Sequence, residues 1–119
     1  MRLALAVVVA LGLLGGSAAR AEDTRSWQPT LADIATVEAK IELPKDAEPI
    51  AAYARYYSGV IVSGHRLVKG YYLQGIGGRP GVYLKPYADE IDDGGCSVVT
   101  VYFDLTAART ASAFCNGYA

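Results

Sequence analysis

Histidine and tryptophan each occur once in this 119-residue sequence, and cysteine occurs twice. One imidazole and two thiols are too few for a structural zinc site, which takes four such ligands. The longest apolar run is the twelve residues from Leu3 to Leu14, short of the roughly 17 needed to cross a bilayer as a permanent anchor. There is no Cys-x-x-Cys pair to lower a thiol pKa, no G-x-S-x-G nucleophile elbow and no internal repeat. Net charge is nearly absent at −1, so nothing global draws the chain to nucleic acid or an anionic membrane. Intrinsic disorder is excluded from the other side, because only 19% of residues are charged and 52% are hydrophobic.

What is present begins with the first 21 residues. Arg2 supplies a minimal positive start, Leu3 to Leu14 an apolar centre, and Ser17 to Ala21 a small-residue end with alanine at 19 and 21. That pattern predicts a secretory signal peptide over 1–21, a short flexible lead over 22–29, and one small domain over 30–119. No cysteine precedes Cys96, so a lipid anchor on cysteine has no acceptor. The expected location is therefore the periplasm or the exterior, with no membrane span once the leader is removed. An exported chain meets an oxidising compartment, so Cys96 and Cys115 are expected to form one disulfide.

Thr30 followed by Asp33 has the form of a capping box, and Leu31, Ile34, Val37 and Ile41 recur at helical spacing. A helix over 31–41 follows. Val37 to Leu43 also alternates in polarity, which keeps a strand over 37–43 as an alternative, and Ile50, Tyr53, Ala54 and Tyr57 share a helical stripe. A two-residue turn at Ser63-Gly64 would pair residues whose numbers sum to 127. One face then joins Ala54/Leu73, Tyr56/Tyr71, Ser58/Lys69 and Val60/Leu67, mostly apolar and suited to a core. The opposite face carries Tyr53, Arg55, Tyr57, Arg66 and Tyr72. Pro80-Gly81 suggests a turn into a short strand over 82–85. A terminal hairpin of 97–103 and 109–114 would set Cys96 opposite Cys115 in an unbulged register. The expected fold is α+β, one N-terminal helix packed on an antiparallel sheet of about five strands in two hairpins.

Candidate chemistry is sparse. His65 could act as a general base with Ser58, Ser63 or Asp89, but a polar residue beside a tight turn is ordinary. Asp89 to Gly94 offers oxygen ligands, yet Ile91 and Thr100 stand where a calcium loop of the EF-hand type needs its third and twelfth ligands. Gly75 to Gly81 has Pro80 where a dinucleotide loop needs its last glycine, and no helix follows. None of these supports a cofactor or a metal.

Distribution is more informative than motif. Residues 50–88 contain no Asp or Glu but hold Arg55, Arg66, Lys69, Arg79 and Lys85, with seven of the nine tyrosines, between two acidic flanks. Tyrosine and arginine together suit recognition surfaces. The chain resembles short exported proteins of Gram-negative bacteria with no assigned activity, through its leader and helix, Tyr-Ala-Arg-Tyr-Tyr at 53–57, Gly-Gly-Cys-Ser-Val-Val at 94–99 and a closing Cys-Asn-Gly. That resemblance implies export and no catalytic residues. The expectation is a non-catalytic binding domain using Tyr53, Arg55, Tyr57, Arg66 and Tyr72 toward an anionic glycan, a lipid headgroup or an acidic protein. Export argues against a nucleic-acid partner. The alternatives are a small hydrolase using His65 and a structural envelope protein without a ligand.

Overall fold

The computed structural model describes residues 27–89 and 91–117. The expected leader over 1–21, and all of the lead up to residue 26, lie outside the described residues. Within them, helix α1 (Leu31–Lys40) is followed by a single 3-10 turn (Ile50–Ala52). Strands β1 (Ala54–Val62), β2 (His65–Leu73), β3 (Gly81–Tyr83), β4 (Gly95–Asp104) and β5 (Arg109–Asn116) then form one sheet in the order β3-β1-β2-β4-β5. The domain is α+β.

The start of α1 is closed by the capping box. The Asp33 backbone N–H donates to Thr30 Oγ1 at 3.1 Å, and the Thr30 N–H donates to Asp33 Oδ2 at 2.9 Å. Ile34 and Val37 are buried on one face of the helix, which decides against the strand alternative over 37–43. β1 and β2 pair from Ala54/Leu73 to Val62/His65 in the register that sums to 127. Their turn has positive φ at both Ser63 (52°) and Gly64 (79°), the combination whose twist matches the flanking strands.

The sheet departs from the expected all-antiparallel arrangement, since β3 runs parallel to β1 through Ala54/Gly81 and Tyr56/Tyr83. The cause is which edges are free. β4 occupies the far side of β2, so a chain leaving β2 at Leu73, beside Ala54, finds its open edge across β1 and enters it running with that strand. The pairing of β4 with β5 also shifts, from Asp104/Arg109 to Tyr102/Ser112 and then to Gly95/Asn116. Cys115 consequently faces Val99 in the ladder, while the Cys96–Cys115 disulfide closes across the irregular end with a Cα separation of 4.6 Å.

A second departure bears on function. Helix α1 covers the face that holds Tyr53, Tyr57, Val68, Tyr72, Val99, Val101 and Phe103, so the core lies there. Two glycines make room for it. A Cβ on Gly70 would lie 2.6 Å from Val101 and 2.8 Å from the Tyr72 ring, and one on Gly59 would lie 2.1 Å from the Trp27 carbonyl oxygen. The face expected to be the core forms only a second, smaller cluster at one end, where Ala54, Tyr56, Tyr71, Leu73 and Val98 are covered by Tyr83, Tyr87 and Ile91. We call this the outer face.

Candidate functional site

Four of the five residues expected to make an exposed recognition face are buried beneath α1. Tyr53, Tyr57 and Tyr72 have no exposed surface, and Arg55 retains 9%. The correction has a specific cause in Glu38, in the last turn of α1. Arg55 forks onto it, Nε donating to Oε2 at 2.7 Å and Nη2 to Oε1 at 3.3 Å, while Nη1 donates to the carbonyls of Ile50 (3.1 Å) and Tyr53 (2.9 Å). A guanidinium with these partners can leave water. The tyrosines are satisfied in the same network. Tyr57 donates to Glu38 Oε2 at 2.8 Å, Tyr72 donates to the Tyr57 oxygen at 2.7 Å, and Tyr53 donates to the Cys96 carbonyl at 2.7 Å.

Burial shifts the protonation equilibria of this cluster. Desolvation, reinforced by Tyr72 and then Glu38, holds the Tyr57 phenol far above its ordinary value, and desolvation likewise raises Tyr72. For Arg55 burial opposes the charge, but the hydrogen bond and charge of Glu38 outweigh it and the pKa rises. A phenol whose folded pKa is raised adds stability that is complete below its unfolded pKa of about 10 and is lost above it. The urea midpoint is therefore expected to hold from pH 7 to 9 and fall between pH 10 and 11. Tyr72→Phe should flatten that fall, and an unchanged slope would show that the phenol ionises freely in the fold.

Arg66 is the exception among the five. It is exposed near the β1/β2 turn, with its guanidinium carbon 5.6 Å from the centre of the Trp27 ring. Its neighbour His65 is also exposed, and no hydrogen bond or ion pair reaches its side chain among the described residues. Ser58 lies four residues along β1 from the partner of His65, about 13 Å at the rise of a strand, so these two do not meet as a catalytic pair. Among the described residues, no group of three His, Cys, Asp or Glu side chains comes together in a way that could hold a metal.

Tyr56, Tyr71, Tyr83 and Tyr87, at the covered end of the outer face, are also spent internally. Tyr56 stacks on Tyr83 with ring centres 4.5 Å apart and donates to the Gly77 carbonyl, while Tyr83 donates to the Arg79 carbonyl. Tyr71 stacks on Tyr87 and is hydrogen-bonded to the Ile91 backbone. The space among Tyr56, Ser58, Lys69, Tyr71, Pro86 and Tyr87 is about 20 Å³, room for one water.

The other end of the outer face is open. Val62, Leu67, Tyr102, Ala111 and Ser112 line a shallow concavity of about 320 Å³. Val62 is 48% exposed at its rim, and Phe114, farther along β5 on the same face, is 47% exposed. No protein-family model, curated protein or solved structure matches this chain. The candidate site therefore rests on geometry alone. The sequence held one signal for it. Val60, Val62 and Leu67 sit around a turn that needs polar residues only at Ser63 and Gly64, and their parity places them on one face.

Proposed function

We propose that this chain is a small exported, non-catalytic interaction domain that docks on an anionic envelope component through the open end of its outer sheet face. The observation that carries the reading is the apolar concavity of Val62, Leu67, Tyr102, Ala111 and Ser112, which lies outside both packed apolar clusters of the fold. Isolated exposed aliphatics are normal on a protein surface, but a contiguous set beside a projecting turn is a candidate contact. The anionic preference rests on charge. Arg55 is neutralised by its ion pair with Glu38, while Arg66 stands exposed near the turn and Arg79 and Lys85 are exposed elsewhere in the acid-free segment 50–88. Export itself is supported by the closed disulfide, which fits an oxidising compartment, and by the leader pattern.

The test is a chemical-shift titration of the exported chain with peptidoglycan fragments, anionic bicelles and an anionic polysaccharide. Shifts confined to Val62, Leu67, Tyr102, Ala111 and Ser112 are expected with one of them. Silence of those residues toward all three, or shifts centred on Tyr56, Tyr83 and Tyr87, would overturn the assignment.

A further inference from the structure

The last residue of β5 and the glycine after it fasten the cover of the outer-face tyrosines. Asn116 pairs with Gly95, and its carboxamide bridges two elements, Oδ1 accepting from Thr100 Oγ1 at 2.9 Å and Nδ2 donating to the Ile91 carbonyl at 3.0 Å. Gly117 follows in the left-handed region with φ 70°. A Cβ there would lie 2.6 Å from the Asp92 carbonyl oxygen and 3.1 Å from Asp93 Cα, so the position suits glycine alone. Together the two residues hold the segment from Ile91 to Asp93 against the end of the sheet. Ile91 in turn packs on the cluster of Ala54, Tyr56, Tyr71, Leu73 and Val98, and its backbone is hydrogen-bonded to the Tyr71 hydroxyl.

An asparagine followed by glycine is also chemically labile, because a residue without a side chain leaves its backbone nitrogen uncrowded. We propose that Asn116 is a site of spontaneous deamidation, restrained by the oxidised fold and released when the end of β5 comes free. The Gly117 nitrogen attacks Asn116 Cγ. The new C–N bond closes a five-membered succinimide, the Cγ–Nδ2 bond breaks, and Nδ2 leaves as ammonia with the proton of the Gly117 N–H. Water then opens the ring at one carbonyl to aspartate or at the other to isoaspartate, whose main chain is one carbon longer. Asn116 is only half-buried and Gly117 is exposed, so water reaches both.

Restraint comes from the two hydrogen bonds of the carboxamide, which are lost when Cγ turns toward the Gly117 nitrogen. The disulfide adds to it, since Cys115 precedes Asn116 and is tied to Cys96 beside Gly95. The step runs one way. Either product sets a carboxylate where Nδ2 had donated to the Ile91 carbonyl, so an acceptor meets an acceptor. The longer backbone of isoaspartate also moves Gly117 off Asp92. The latch does not re-form, and the segment from Ile91 to Asp93 comes away from Tyr71.

The chain is kept in mildly alkaline buffer, and conversion is followed by mass spectrometry of the peptide that begins at Thr110, with isoaspartate detected by enzymatic methylation. Replacing Cys96 and Cys115 together with serine should speed conversion about thirtyfold below the variant's own melting temperature, the worth of two hydrogen bonds. Thr100→Val removes one of the two with the disulfide still closed, and should speed it about fivefold. Asn116→Asp carries the product side chain from the start. Hydrogen exchange at Ile91 should be about fivefold faster in it than in the wild type, with the rungs of β1 and β2 unchanged. Equal rates in the oxidised chain and both faster variants, or no conversion in any of them, would overturn the restrained site. Wild-type protection of Ile91 in Asn116→Asp would overturn the latch.

Discussion

Replacing Glu38 with alanine is expected to destabilise the domain by about 2–4 kcal/mol, more than any other single substitution at a partly exposed position. Two losses combine. The Arg55 guanidinium, 11% exposed in its side chain, would keep its burial and lose its counter-charge, and the Tyr57 hydroxyl would lose its acceptor. The value sits toward the lower part of the range for breaking a buried pair because Glu38 itself is 23% exposed, and water can reach part of the vacated space. A urea titration reads the effect as a lower midpoint at unchanged slope. Glu38→Leu combined with Arg55→Met, Tyr57→Phe and Tyr72→Phe should recover most of the loss, since removing the side chains of a buried polar network together costs less than removing one. A loss below about 0.5 kcal/mol in Glu38→Ala would place the pair among surface bridges and remove the account given of why Arg55 is inside.

That account also explains what the sequence did and did not disclose. The register of β1 with β2 was legible because Ser63-Gly64 admits few turn geometries, and one turn then assigns every rung down to Ala54/Leu73. The cap of α1 was legible because Thr30 and Asp33 act within four residues of each other. Parity sorts residues into two faces but does not say which face a helix will cover, and here both were rich in tyrosine. Arg55 seemed to mark one face for solvent. The residue that reverses the inference, Glu38, is 17 positions away on another element, and nothing local ties the two together. The same holds for β3, whose parallel pairing follows from β4 having taken the other edge of β2. The recognition site shifted for the same reason. Once the helix covers Tyr53, Tyr57 and Tyr72, the apolar residues of the outer face near the turn are left without a cover.

Removing the disulfide by replacing Cys96 and Cys115 together with serine is expected to lower the melting temperature by about 12–24 °C. Closing a loop of sequence separation 19 constrains the unfolded chain by about 3 kcal/mol, and each kcal/mol moves the midpoint about 4–8 °C in a domain of this size. The loss should also be local. Next to Cys115, the Asn116 side chain accepts from Thr100 Oγ1 at 2.9 Å and donates to the Ile91 carbonyl at 3.0 Å, and Ile91 in turn holds Tyr71 on the outer face. Freeing the end of β5 therefore loosens the segment around Tyr87 and Ile91 that covers Tyr56 and Tyr71. Hydrogen exchange is expected to accelerate at Phe114 to Asn116 and at Tyr71 while the rungs of β1 and β2 near the turn stay protected. Those rungs lie at the opposite end of the sheet from the disulfide. Uniform acceleration across the sheet would show instead that the disulfide stabilises the whole domain and that the two ends do not open separately.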